Sequence, residues 1–280
     1  MGKYKKFLNI ISSLKEIINA FPYKVLENQA AQLHSDNILI PKKVYQTWKY
    51  NKIPKNFHKS IMEFRKKNSD FEFILFTDQE IDQYMYDNWR NHPIYSVYNR
   101  FNIGAMKADI WRYCIIYDNG GFYFDLKSGC SDFLSKVVHN DTTLFVTNEN
   151  NDDENMMQKF KSNSLVYPDK KFAQWVFGSV KKSEFLKNLI NSIPLSFNSL
   201  TNRNLEKKNN FEKYNTKKFI LDCTGPNIFT KVLKDYILKF KDKNIQQAGI
   251  DIYGKGIYDL KHSRMRFLQN KHYSKFKIEI

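Results

Sequence analysis

No stretch of this 280-residue sequence holds the run of about 20 apolar residues that a bilayer-spanning helix needs, so an integral membrane protein is not expected. Cysteine is scarce. Cys114, Cys130 and Cys223 make an odd total without a CxxC pair, which argues against a disulfide framework or a thiolate zinc site and fits a reducing compartment. The histidines, His34, His58, His92, His139, His262 and His272, lack metal-ligand spacing. GxGxxG, P-loop and GxSxG patterns are missing as well, removing the usual signatures of dinucleotide binding, phosphate cradling and serine hydrolysis. Acids are few: 29 Asp and Glu against 45 Lys and Arg leave a formal charge of +16. That excess points to phosphate-bearing partners as a class, whether nucleic acid, anionic membrane or a phosphorylated small substrate. The lysines are scattered and no nucleic-acid motif accompanies them, so no nucleic-acid partner is expected.

What is present is a foldable chain. At 42% hydrophobic and 16% aromatic it is too apolar to stay disordered, and its length suits one substantial core. Residues 1–39 are set apart as an N-terminal amphipathic segment, and residues 40–280 as one catalytic-size domain. In the first segment Phe7, Ile10, Ile11, Leu14, Ile17, Ile18 and Phe21 recur at helical spacing behind Lys3, Lys5 and Lys6, until Pro22 breaks the pattern. Such a helix suits an anionic membrane surface, or its stripe packs on the domain or on a second subunit. No small-residue cleavage site follows, so it does not read as a signal peptide. The expected location is cytoplasmic, with peripheral membrane contact as the accompanying option.

Further along, strands and helices alternate. ILIPKKVYQTW reads as a first strand entering a loop, Ile61 and Phe64 mark a short helix, and FEFILF (71–76) is a buried strand. Thr77 and Glu80 form a capping box that starts the next helix. Ile103, Met106, Ile110, Cys114 and Tyr117 share a helical stripe, for which Asn119-Gly120-Gly121 supplies a left-handed stop. Strands are expected over 122–126, 144–148 and 175–180 and within AGIDIYG. EFLKNLINSI reads as a helix ended by Pro194, and the segment after Pro226 as a helix with Pro at its favoured first turn. Polar insertions follow residue 148 and span 198–218; the first has the length of a mobile lid. The alternation predicts an α/β sheet.

The residues with chemistry gather near its centre. In GGFYFDLKS, Phe122, Phe124 and Leu126 face one way, and Tyr123, Asp125 and Lys127 the other. Ligands of open α/β sheets collect at the carboxyl ends of strands, where Asp125 falls. On the preceding helix, Asp109 and Arg112 are three residues apart and share a face. Taken alone, these two are an ordinary surface ion pair and Asp125 a turn residue. Asp152, Asp153 and Glu154 sit among Asn and Gln and read as solvated loop. Cys114 reads as packing, as do Trp89, Trp111 and Trp175; Trp48, at a strand exit, is open to stacking with a base.

ADIWRY (108–113) followed by GGFYFDLKS resembles the ADxxRYxxLxxxGGxYxDxD signature of the sugar-binding region of glycosyltransferase family 32. IPKKVYQTWK, FEFILFTD, WVFGSVKKSEFL and CTGP resemble further blocks of that family, in order from about residue 40 to about 230. The resemblance implies a GT-A type, Rossmann-like mixed sheet flanked by helices, and retaining transfer of a sugar from a nucleotide sugar such as a UDP-sugar or GDP-mannose to a glycan, lipid-linked or protein acceptor. It implies that Asp109 and Arg112 hold donor-sugar hydroxyls, that Asp125 binds the ribose, the sugar or a metal, that Tyr123 lies with them, and that Tyr45, Gln46 and Trp48 border the base. It implies Mn²⁺ or Mg²⁺ at the diphosphate, with Asp125 a ligand and His262 a faint echo of the family's C-terminal ligand block.

One departure stands out. The second acid of DxD is Lys127, which leaves metal dependence open and gives Lys127 itself a candidate catalytic role beside Asp125, as an ammonium touching a phosphate or an acceptor group. It also leaves a reading from another class: a non-catalytic nucleotide-sugar or glycan-binding relative with a degenerate Asp125-Leu126-Lys127.

Overall fold

The computed structural model describes residues 22–32, 38–130, 132–148, 171–206, 216–240, 244–249, 257–261 and 263. The expected N-terminal helix, the polar insertion after residue 148 and His262 lie outside these residues.

A six-stranded sheet is built from β2 (Lys43–Thr47), β4 (Glu72–Phe76), β5 (Gly121–Phe124), β7 (Leu144–Asn148), β8 (Phe172–Ser179) and β9 (Ile245–Gly249), in the order β4-β2-β5-β8-β7-β9. All run parallel except β8, which is antiparallel to both neighbours. Two short antiparallel pairs flank it: β1 (Tyr23–Val25) with β3 (Lys52–Pro54), and β6 (Ser128–Cys130) with β10 (Ile257–Asp259). This is the expected α/β arrangement of a mixed sheet between helices.

Side-chain alternation sorts the core into two layers. Tyr45, Tyr123, Val146 and Phe177 face α4 (Gly104–Asn119), together with α2 (Asp78–Trp89), α3 (Pro93–Arg100), α6 (Glu184–Glu206), α7 (Thr216–Cys223) and α8 (Pro226–Phe240). Val44, Phe73, Phe122, Phe124 and Phe145 face the other way, onto α1 (Lys55–Lys67) and the short α5 (Leu134–Val137). Helix α4 is buried on nearly all sides over Asp109–Ile116, which is why its apolar stripe understates its burial. The Cys114 thiol is enclosed and burial pushes it well above the usual thiol range, in keeping with a packing residue.

Local signals act as their chemistry dictates. The Thr77 hydroxyl accepts from Glu80 N–H while the Glu80 carboxylate accepts from Thr77 N–H at 2.7 Å, completing the capping box. Pro226 opens α8.

Three expectations need correction. Pro194 lies inside α6, which runs on to Glu206, so the N-terminal part of the proposed 198–218 insertion is helical, and 216–218 open α7. The missing Pro N–H is outweighed by burial of Ile193 and Phe197 on either side of it, and the Phe197 ring meets Phe101 and Phe219. The last sheet strand begins at Ile245, three residues before the expected AGIDIYG, whose residues 250–254 lie outside the described ones. Its register on β7 puts Ile245 and Ala248 into the two core layers, a choice that local composition does not reveal. Gly120 is not in the left-handed helical region: φ 67° and ψ −177° place it where essentially only glycine goes.

Gly121 follows with φ 105°, so the chain turns from α4 into β5 with one residue between them. A Cβ on Gly121 would stand 2.7 Å from the Lys43 carbonyl oxygen in the neighbouring strand. Gly121→Ala is therefore expected to lower stability by about 2–4 kcal/mol, combining backbone strain with a contact that cannot relax. A urea titration monitored by circular dichroism checks this.

Candidate active site

The carboxyl end of β5 delivers Asp125. Its backbone N–H donates to Trp175 O at 2.8 Å, and its carbonyl accepts from Ser128 N–H at 2.7 Å in a tight turn. The next strand segment, β6, pairs with β10, and Leu260 N–H donates to the Lys127 carbonyl at 2.6 Å. The turn bearing Asp125 and Lys127 is thus held from the sheet on one side and from the later chain on the other.

Helix α4 brings Asp109 and Arg112 to the same place. Arg112 Nη2 lies 3.1 Å from Asp109 Oδ1, and Arg112 Nη1 lies 3.5 Å from Asp125 Oδ1. The guanidinium also donates to the carbonyls of Gln174 and Ala108, both at 3.2 Å, and stacks 4.3 Å from the Tyr123 ring centre. The Tyr123 hydroxyl donates to Asp125 Oδ1 at 2.7 Å. Asp109, Arg112, Tyr123 and Asp125 therefore form one connected group, and the Asp109–Arg112 pair is buried rather than the surface pair that spacing alone suggested.

Exposure within the group is uneven. The side chains of Asp109 and Arg112 are 6% and 7% exposed, those of Asp125 and Lys127 24% and 45%. Burial works against the charge on Arg112, but Tyr123, Asp109 and Asp125 outweigh it and hold its proton more firmly than usual. Burial pushes the Asp109 carboxyl up to about 7, against the opposing pull of Arg112 and of the Thr224 and Gln174 hydrogen bonds. The Tyr123 phenol is raised well above its usual range, first by burial, with Arg112 opposing, so it stays a donor.

Residues that the sequence did not single out complete the cluster. Gln174 Nε2 donates to Asp109 Oδ1 at 2.9 Å and the Thr224 hydroxyl donates to Asp109 Oδ2 at 3.0 Å. The Tyr113 hydroxyl bonds the Gln174 side chain and donates to the Thr224 carbonyl at 2.9 Å. Gln174 arrives through an irregularity in β8: Val146 pairs with Phe177 but the next residue, Thr147, pairs with Ala173, so 174–176 have no register partner in β7, and Gln174 meets α4 there. No local pattern announces that bulge, whereas Thr224 lies in the CTGP block and Tyr113 in ADIWRY, where a polar atom in an apolar setting was the available signal. Asn148, which closes β7, is fully enclosed, and neither of its amide atoms finds a partner among the described residues.

The base-bordering set is split by the strand's two faces. Tyr45 is 4% exposed in the α4 layer, and Gln46 is 0% exposed in the other, where Arg65 Nε and Nη2 donate to its Oε1 at 3.2 and 2.8 Å. Trp48 lies beyond the strand end, half-buried, with its ring edge-on to Phe57 at 5.9 Å. Of the three, Trp48 keeps surface at the carboxyl edge.

A divalent ion does not suit this donor set. Asp125 Oδ1 is engaged by Tyr123 and Arg112, and Asp125 Oδ2 faces the Lys127 ammonium at 4.0 Å. Both oxygens of Asp109 already accept from protein donors. Among the described residues no three His, Cys, Asp or Glu side chains gather closely enough to ligate an ion.

Residues 54–144, which contain α4, β5 and the Asp125 turn, match the family model described as glycosyltransferase sugar-binding region containing DXD motif. Over these residues the chain is similar to the sugar-binding region of family-32 glycosyltransferases. It is 28% identical over 134 residues to inositol phosphoceramide mannosyltransferase 3 of Schizosaccharomyces pombe, covering 48% of this chain and 35% of that one. It is 25% identical over 221 residues to the initiation-specific alpha-1,6-mannosyltransferase of Candida albicans, covering 70% and 53%. The chain thus spans about a third to a half of these curated relatives. Among solved structures it overlaps the PaToxG glycosyltransferase at 16% identity with a TM-score of 0.48, covering 84% and 81%.

Two outcomes are expected from this geometry. Arg112→Met would leave two carboxylates facing each other without their shared cation and should cost about 3–5 kcal/mol in urea unfolding. The second concerns pH. Folding raises the Asp109 carboxyl from an ordinary 3.8 to about 7, so the folded chain binds that proton more tightly. The group's contribution to stability is then full below about pH 4 and is lost as pH rises through about 7. Urea midpoints measured between those values should fall less with pH in Asp109→Asn than in the parent protein.

Proposed function

We propose that the chain transfers a hexosyl group from a nucleotide sugar to a hydroxyl of a glycan or lipid-linked acceptor, with retention at the anomeric carbon. The observation that carries this reading is the convergence of Asp109, Arg112 and Asp125, at 3.1 and 3.5 Å, inside the segment that matches the sugar-binding family model. The names of the relatives make mannose the first sugar to test, with GDP-mannose ahead of UDP-sugars as donor, and make an inositol phosphoceramide or a glycan the first acceptors.

Each residue takes a role from its setting. Asp125 Oδ2, the less engaged oxygen, accepts from sugar hydroxyls. Arg112 and Tyr123 fix that carboxylate, and Asp109 fixes Arg112, so Asp109 is a positioning residue rather than a sugar ligand. Asn148 offers an amide without a partner among the described residues at the same edge of the sheet, and Trp48 a ring for the base. Preorganised charges of this kind stabilise a transition state because they need not reorient as charge develops.

In the reaction the bond from the anomeric carbon to the diphosphate oxygen breaks, and its electron pair stays on the phosphate. The acceptor oxygen attacks from the face the phosphate leaves, and its proton passes to that phosphate. No described helix is long and apolar enough to cross a membrane; residues 1–21, amphipathic by sequence, are the candidate for contact with the membrane of a lipid-linked acceptor.

Asp125→Asn tests the reading. The side chain is partly exposed, the turn is held by backbone bonds and Asp109 still pairs with Arg112, so the variant should fold, with a modestly lowered melting curve. Nucleotide release from a panel including GDP-mannose, UDP-glucose and UDP-galactose should fall by about a hundredfold or more. Turnover at the parent rate would overturn the assignment.

A further inference from the structure

We infer that the Lys127 ammonium holds the donor's diphosphate directly, so that this site binds a nucleoside diphosphate without a divalent ion. The inference rests on the donor-site reading above.

Expulsion of a diphosphate places negative charge on its oxygens, and some cation must be aimed there. Arg112 is not available for it: its guanidinium is enclosed and committed to Asp109, Asp125, Gln174 and Ala108. Lys127 differs in each respect. Its side chain is 45% exposed, its nearest acid among the described residues is Asp125 at 4.0 Å, and its backbone is clamped by Leu260, so the ammonium is anchored at the root and accessible at the tip.

Charge points the same way. Replacing the second acid of a DXD pair by lysine shifts the local charge by two units, as much as a divalent cation carries. The site reaches with its own side chain the balance that an acidic pair reaches with an ion. An ion bound at Asp125 Oδ2 would also stand against the ammonium, since metal to carboxylate-oxygen distances are about 2.0–2.6 Å and the ammonium is 4.0 Å from that oxygen.

Titration calorimetry with GDP and UDP, in EDTA and then in Mn²⁺, tests this. At least one nucleotide should bind in EDTA, with an affinity within about threefold of that in Mn²⁺. Lys127→Met should weaken binding in EDTA by about ten- to a hundredfold, as expected for loss of a charged hydrogen bond. Lys127→Arg should retain most of it, and Lys127→Asp should bind well only with Mn²⁺. Binding by the parent protein that appears only with Mn²⁺, or unchanged affinity in Lys127→Met or Lys127→Asp in EDTA, overturns the inference and leaves the donor site standing. Failure of both nucleotides to bind under either condition overturns the donor-site reading itself.

Discussion

A single guanidinium ties the helical layer to the sheet. Arg112 touches an acid on its own helix, an acid at the end of β5, the bulged backbone of β8 and the face of Tyr123. Buried ion pairs are seldom a net source of stability, because desolvation offsets most of the attraction. Here the acids, amide and hydroxyl leave few polar atoms unmatched, so the group is tolerable, and what it secures is position. The partly exposed Asp125 inherits a fixed orientation from partners that are themselves enclosed.

That division separates side chains with exposed polar capacity from the enclosed side chains that fix them. Asp109 and Arg112 have the chemistry of sugar ligands, yet donors inside the protein already occupy the Asp109 oxygens. Asp125 and Lys127 carry the remaining capacity, one as acceptor and one as cation, on a turn held from two directions. The opposite signs suit a sugar diphosphate, whose hydroxyls donate and whose phosphates accept.

Much of this was legible in the residues. Alternation in GFYFDLK placed Tyr123 and Asp125 on one face and Phe122 and Phe124 on the other, and the structure keeps that division. The capping box at Thr77 and Pro226 at the start of α8 acted as local rules do, because their partners lie within one turn. What escaped depends on distant chain. Helix α6 passes Pro194 because the core covers both sides of it, and Gln174 reaches Asp109 only through a bulge set by the pairing of β7 and β8. The depth of Asp109 is a property of the surrounding helices, not of its neighbours in sequence.

The pairing of β6 with β10 has a bearing on how the molecule is made. Lys127 is anchored by a backbone bond from Leu260, far later in the chain, so a growing polypeptide carries the acid and the helix long before anything steadies the ammonium. Such long-range closure is slow to form relative to local helix and turn formation. During synthesis the group around Arg112 can close once residue 224 has emerged, and the Lys127 turn must wait until residue 260 has left the ribosome.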